Sequence, residues 1–284
     1  MEKYYYQGTQ VPQIFHKNEV EYLQFPSLKN TGLVRHLFST RLGGVSKGCL
    51  QSMNLSYTRG DDPDCVRENY RRIAEILNCR MEDMVATYQT HTTNVRRVGS
   101  ADRGNGVTRE KSFVDVDGLV TNEKGIVLTA YFADCVPLFL VDPVHQAIGL
   151  AHSGWRGTVQ RMGLSMVQKM KEEFSTDPKD LVTAIGPSIC RSCYEVSEDV
   201  AEQFRNEFQQ TERTINNTIV IPKENGKYLV DLWAANRQVL LDAGVPMEHI
   251  EVTGLCTACN DTLLFSHRKS QGKRGNLGAF LGLL

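Results

Sequence analysis

Gln146-Ala147-Ile148-Gly149-Leu150-Ala151-His152-Ser153-Gly154-Trp155-Arg156-Gly157 passes from an apolar run into a turn rich in glycine. The run from Gln146 to Leu150 reads as a strand, and a helical pattern begins near Thr158. His152 therefore stands at a strand end, and the glycines form the turn into a helix. Such a turn points backbone N–H groups and a positive dipole end at whatever occupies it. His152 supplies a metal or proton site there, and Arg156 an anion clamp. Upstream, Asp134-Cys135 closes another apolar run, and His91 ends a third at Tyr88-Gln89-Thr90-His91. Cys135 and His152 are 17 residues apart, a separation that adjacent strands would close. His91, Cys135 and His152 would then make a three-ligand site with one position open, the pattern of catalytic zinc. Taken singly, a His or Cys at a strand end reads more often as packing or an incidental surface group than as a ligand.

Working outward, strand-like runs rich in Val, Ile, Leu and Tyr fall at 84–89, 118–121, 126–132, 137–141, 146–151, 181–185, 218–222 and 250–253. Helical spacing follows Asp62-Pro63, with Asp62 as cap and Pro63 in the first turn. Further helices are predicted from about Thr158 to Phe174, after Ser197, and from Asp231 to Ala243, closed by Gly244. Strands succeed one another through the middle without strict alternation with helices. That order predicts an α+β fold with mixed sheets in one domain. The polar segment Arg103 to Asp115 reads as an exposed loop.

The chain of 284 residues carries 32 basic and 33 acidic side chains, for a net charge of −1. This balance gives no electrostatic reason to expect nucleic acid or an anionic membrane as partner. The first residues lack a basic-then-apolar signal pattern, and no apolar run approaches a membrane span. A cytoplasmic protein is the expectation. In that setting the eight cysteines read as thiols or metal ligands, not disulfides.

Gln89-Thr90-His91, Asp117-Gly118-Leu119-Val120-Thr121, Ala133-Asp134-Cys135-Val136-Pro137-Leu138 and His152-Ser153-Gly154-Trp155-Arg156-Gly157-Thr158 resemble, in order, the signatures of the YfiH-like or laccase-domain family. The resemblance continues through Gly186-Pro187-Ser188-Ile189, Cys193-Tyr194-Glu195-Val196, Cys256-Thr257 and Phe265-Ser266-His267-Arg268. Toward the N-terminus, Phe38-Ser39-Thr40-Arg41-Leu42-Gly43-Gly44-Val45-Ser46 and Met53-Asn54-Leu55 also fit. It spans roughly residues 35 to 284, leaving 1–34 as an N-terminal extension. The resemblance implies stacked mixed sheets flanked by helices, in α/β/β/α layers. It also implies that His91, Cys135 and His152 are the metal ligands. The family has been labelled multicopper polyphenol oxidase, and its bacterial members purine nucleoside phosphorylases.

The expected activity is therefore a zinc-dependent purine nucleoside phosphorylase with adenosine deaminase activity. Its small-molecule partners are phosphate and a nucleoside: adenosine, inosine or methylthioadenosine. Arg41, Asn54 and Arg156 are the candidate substrate and phosphate residues. On composition alone, the turn holding Arg41 reads as a plain β-turn. Asp134 is a candidate proton shuttle, or an orienting partner of His91 or His152. Copper is the rival metal, since His₂Cys sites suit it as well. A multicopper oxidase, however, needs more histidines than the 7 present. A Cys135–His152 hydrolase pair is the other reading. The family often has tyrosine at the position of His267, so His267 is a poor ligand candidate.

Cys190-Arg191-Ser192-Cys193 and Cys256-Thr257-Ala258-Cys259 form two CxxC pairs. They could together bind a structural zinc, but 62 residues lie between them, far more than in a zinc ribbon. The expectation is two neighbouring turns with buried thiols and no second zinc.

Overall fold

The computed structural model describes residues 12–212 and 219–284. Its strands form two six-stranded sheets and one three-stranded sheet. The first sheet has the order β1 (Gln13–Lys17), β2 (Val20–Gln24), β3 (Val34–Ser39), β15 (Leu277–Leu283), β7 (Val127–Phe132) and β4 (Met84–Ala86). The second has the order β14 (Ile250–Val252), β10 (Val182–Ile185), β8 (Val136–Asp142), β9 (Ala147–Ser153), β6 (Gly118–Thr121) and β5 (Val95–Arg97). The small sheet runs β11 (Glu195–Val196), β13 (Tyr228–Val230), β12 (Val220–Pro222). Pairing is antiparallel except at β4–β7, β5–β6 and β10–β14. The sheets are thus mixed, as the succession of strands predicts.

Three apolar layers hold the stack together. Phe38, Leu128, Phe139 and Leu150 pack between the two large sheets. On the outer side of the first sheet, Val66, Tyr70 and Ile73 of α2 (Pro63–Leu77) meet Leu37 and Phe280. On the outer side of the second, Met166 and Met170 of α4 (Met162–Phe174) pack with Phe204 of α5 (Glu198–Glu212) and Leu240 of α6 (Leu232–Asp242). The result is the α/β/β/α layering. Short helices α1 (Pro26–Asn30), α3 (Trp155–Val159) and α7 (His267–Ser270) complete the chain's described elements.

Local chemistry explains the helix ends. The Asp62 carboxylate accepts the Asp64 N–H at 2.9 Å, ahead of Pro63. Asp231 accepts the Ala234 N–H at 3.0 Å, and Gly244, at φ +95°, follows the other end of α6. The helix predicted from Thr158 to Phe174 is in fact two, α3 and α4. Arg161 sits between them in a left-handed conformation, φ +61°, with its guanidinium paired to Glu207 and Asp242. Apolar spacing runs on across the break, so periodicity did not reveal it.

Central strand β15 escaped the sequence reading because glycines interrupt it. Both glycines are required by close packing: a Cβ on Gly278 would lie 2.6 Å from Phe280, and one on Gly282 would lie 2.9 Å from the Ile126 carbonyl oxygen. Of the expected extension, residues 1–11 lie outside the described residues, while 13–24 form a hairpin paired to β3. His36 on β3 is buried and accepts the Phe25 N–H at 2.9 Å; burial pushes its pKa down to about 4. No helix among the described residues is long and apolar enough to cross a membrane.

Candidate active site

The three expected ligands converge. His91 Nδ1 or Nε2, Cys135 Sγ and His152 Nδ1 or Nε2 supply one atom each, all within 4.8 Å of one another. His152 lies on β9, Cys135 in the turn from β7 to β8, and His91 in the loop after β4. Residues Pro137 and His152 are paired across β8 and β9, which sets the thiol beside the ring. His91 has φ +65° and Asp134 φ +90°, so both flanking turns are held in conformations that non-glycine residues rarely adopt. Gly154 is the third constraint: a Cβ there would lie 2.6 Å from His91 Nδ1 and 3.2 Å from Cys135 Sγ. Only glycine lets the three donors close around this point.

Asp117 organises the cluster, and it was not singled out from sequence. Its carboxylate takes the Thr90 N–H at 2.9 Å, the His91 N–H at 3.2 Å and the Thr92 N–H at 3.1 Å. Its Oδ1 also lies 2.7 Å from His152 Nδ1. That contact leaves His152 Nε2 to face the cluster, the usual arrangement of a metal-bound imidazole backed by a carboxylate. Burial alone would raise the Asp117 pKa, yet His152 and the N–H donors hold it below the usual carboxylate range. Burial would likewise lower His152, but Cys135 and Asp117 together push it up to about 9. The surroundings of the ring therefore favour positive charge. His91 is lowered by partial burial and by the facing His152 ring. Asp117 was present in the quoted motif; the sign of its role was a lone acid at the start of a strand.

Asp134 has a different place from the one expected. Its carboxylate accepts from Thr257 Oγ1 and from the Arg268 N–H, each at 2.6 Å, and no ligand ring is bonded to it. The orienting carboxylate on His152 is Asp117, because β6 and β9 are paired neighbours and β7–β8 turns Asp134 toward the segment after β14.

Beside the three donors is a cavity of about 260 Å³ that Cys135, His152 and His91 help to line. This is just under the roughly 300–1,000 Å³ usual for small-molecule sites. Two cations also line it, Lys111 and Arg274. Arg274 donates to the Gly275 carbonyl at 3.3 Å and lies 3.5 Å from His267 Nδ1, and the Lys111 ammonium stands over the Tyr88 and Tyr131 rings. Burial lowers the pKa of Lys111, and burial with the nearby Arg59 lowers Arg274 to about 10. For both, burial is the largest cause; at Arg274 the charges of Asp134 and Cys135 act the other way. Lys111 belongs to the Arg103–Asp115 loop, which has an exposed crest but is anchored by buried Asn105, Val107 and Phe113. The loop is thus a wall of the cavity, a role its polar composition concealed.

The expected anion residues stand elsewhere. Arg41 does not line the cavity; it donates to the Gln51 and Asp261 carbonyls at 3.0 and 2.7 Å and lies over the Phe265 ring. Asn54 is buried and donates to Asp61 at 2.8 Å, while its carbonyl oxygen accepts the N–H groups of Ser56 and Asn276. It braces two cavity residues without reaching the cavity. Arg156 is exposed, stacked 4.3 Å over Trp155, though its charge is felt by His91. His267 is outside the donor cluster. Among the described residues, His91 and His152 are the histidines of the candidate donor groups, their rings 4.9 Å apart.

The two CxxC turns meet as well. Cys190, Cys193, Cys256 and Cys259 place their sulfurs within 4.8 Å of one another. Cys190 and Cys256 are buried as expected, but Cys193 is half-buried and Cys259 exposed.

The comparisons agree with this architecture. Purine nucleoside phosphorylase YlmD of Bacillus subtilis (strain 168) is 38% identical over 247 residues, 87% of each chain. Adenosine deaminase RL5, from an unknown prokaryotic organism, is 35% identical over 82% of this chain and 87% of its own. The crystal structure of the Bacillus licheniformis hypothetical protein YfiH superposes with a TM-score of 0.87 at 34% identity, covering 93% of this chain and 96% of that one. Residues 35–284 match the family described as multi-copper polyphenol oxidoreductase laccase. With that match over most of its length, and with the sheet stack and ordered motifs in place, the chain belongs to this laccase-like, YfiH-type family.

Proposed function

We propose that this protein is a zinc-dependent purine nucleoside phosphorylase that also deaminates adenosine. The observation that carries the reading is the convergence of His91, Cys135 and His152 at a cavity whose wall holds two cations, Lys111 and Arg274. The names of the similar proteins support the purine substrate. The donor set fits zinc: one thiolate and two imidazoles, a carboxylate behind one ring, and an open side toward the cavity. Bound there, zinc would supply a Lewis acid that lowers the pKa of water at the open position.

Phosphorolysis joins a phosphate oxygen to ribose C1′ and breaks the bond from C1′ to the purine nitrogen. The electron pair leaves with the base, which takes up a proton. Lys111 and Arg274 are assigned to hold the phosphate, because they line the cavity and Arg41 does not. Arg156 is left as an outer electrostatic contributor. Deamination instead adds a water oxygen at purine C6 and releases ammonia. Asp117 fixes the His152 tautomer in both reactions.

Purified protein incubated with adenosine and phosphate should give adenine and ribose 1-phosphate, and without phosphate it should give inosine and ammonia. Failure to form either set of products with zinc-loaded protein would remove the proposal. A second reading has one observation behind it: Cys135, His152 and Asp117 also stand in the order of a Cys–His–carboxylate hydrolase. Activity that survives full chelation of zinc, and is lost on thiol alkylation, would favour it.

A further inference from the structure

The four cysteines of the two CxxC turns have no part in the site above; packing accounts for the buried Cys190 and Cys256 but not for Cys259. A cysteine used only as a small apolar side chain is normally buried. Here Cys259 is exposed and Cys193 half-buried. We infer that Cys190, Cys193, Cys256 and Cys259 form a second, structural zinc site.

A tetrahedral Zn–S distance of about 2.3 Å sets its sulfurs about 3.8 Å apart. The sulfurs of Cys190 and Cys259 are 3.9 Å apart, and those of Cys193 and Cys259 are 3.5 Å apart. All four lie within 4.8 Å of one another. The backbone prepares the site too. Cys256 Sγ accepts the Cys190 N–H at 3.2 Å and the Cys259 N–H at 3.4 Å, donors that favour the thiolate form. Each turn is closed on itself, by the Cys193 N–H to the Cys190 carbonyl at 3.1 Å and the Asn260 N–H to the Cys256 carbonyl at 3.1 Å.

The 62-residue interval is bridged by the fold. Ser188 pairs with Cys256 as a parallel bridge, and the Thr257 N–H donates to the Ser188 carbonyl at 3.1 Å. That join continues the parallel pairing of β10 with β14. The long gap therefore holds β11, α5, β12, β13, α6 and β14, and the return of β14 to β10 brings the two turns together.

The clasp also reaches the first site. Thr257, inside the second turn, and Arg268 both donate to the Asp134 carboxylate. The Ile189 N–H, next to Cys190, donates to the Asp134 carbonyl at 3.0 Å. Asp134 adjoins Cys135, so the zinc clasp would be a positioning device for the thiol ligand.

Zinc content and coordination test this. Wild-type protein should hold two zinc per chain, Cys135→Ala one, and Cys256→Ser one. In the Cys135→Ala protein, X-ray absorption at the zinc edge should show a sulfur-only shell at about 2.3 Å. That measurement leaves the four cysteines intact, so it decides the matter even if Cys256→Ser does not fold. Zinc-free Cys135→Ala protein would overturn the proposal, as would nitrogen ligands around its remaining metal. So would fewer than eight reactive thiols in unreduced, chelated and denatured wild type, since that would mean a disulfide. Zinc confined to the sulfur-only site in the wild type would instead refute the His₂Cys reading and leave this one standing.

Discussion

The His₂Cys and Cys₄ clusters both bring side-chain donors within 4.8 Å of one another, yet they are assembled differently and face different surroundings. The first gathers its donors from three separate places in the chain: the loop after β4, the β7–β8 turn and β9. It borders a cavity that Lys111 and Arg274 also line, and its His152 imidazole is backed by Asp117. The second takes its donors from two short turns that are closed on themselves and joined at Ser188–Cys256. Four protein donors leave a metal no open position, whereas three leave one. The difference teaches what each cluster could do on the proposed readings: three donors beside a cavity would leave a bound metal open to substrate, whereas four would close it into a structural clasp.

Breaking the first cluster should have the largest effect. Cys135→Ala should lower phosphorolysis and deamination together, on the order of a thousandfold or more, because it removes a ligand and with it the Lewis acid. Melting temperature should change little by comparison, since Cys135 sits at a turn beside the cavity and not in the sheet core. Steady-state assays alongside thermal unfolding check this. Near wild-type rates would show that the reacting centre lies elsewhere.

Arg274→Ala should come next and should split the two reactions. Loss of a partly buried, charge-assisted contact costs about 2–4 kcal/mol, so phosphorolysis should fall by roughly thirtyfold to a thousandfold. Deamination, which uses water, should fall much less. Both are measured on one preparation, so a difference between them is not a folding effect. Equal losses would mean that Arg274 supports the cavity and does not hold phosphate.

How far the sequence revealed each cluster follows from what a motif can encode. His91, Cys135 and His152 were legible because each closes an apolar run and lies within a family signature. Asp117 was quoted but passed over, since a carboxylate gains its role only when β6 is laid beside β9. The sequence predicts the cysteine pairs as neighbouring turns without a second zinc, since 62 residues lie between them, more than in a zinc ribbon; the β10–β14 pairing brings the four sulfurs together. Lys111 and Arg274 carry no pattern at all; only the folded cavity wall brings them together. In the fold, the layer order was legible from the succession of strands. The glycines of β15 and the left-handed Arg161 hid one strand and one helix break, because both are settled by tertiary contact.

Asp117→Asn should sharpen the comparison at intermediate size. The amide keeps the shape but loses the charge that raises the basicity of His152, and loss of such a partner lowers metal affinity by roughly tenfold to a hundredfold. Competition with a zinc-binding dye, reading the first site in a titration, should show that shift while the sulfur-only site is unchanged. A shift of equal size at both clusters would show that Asp117 acts on the whole fold.

Arg156→Ala should have the smallest effect of the set. Arg156 is exposed and stacked on Trp155, and its only recorded influence on the site is to disfavour positive charge on His91. Exposed charges interact weakly, by about 0–1 kcal/mol, so the rate of phosphorolysis should change by less than about fivefold. The change should also shrink as salt is raised, because solvent screens a charge held at the surface. Removing the cation lessens the repulsion of a proton or metal at His91, so zinc should bind slightly more tightly, if it changes at all. A fall in phosphorolysis as large as that of Arg274→Ala, with deamination spared, would place the phosphate at the start of α3 and outside the cavity. The helix-start turn, with its free N–H groups, would then be the anion site that Gly154 and Gly157 first suggested.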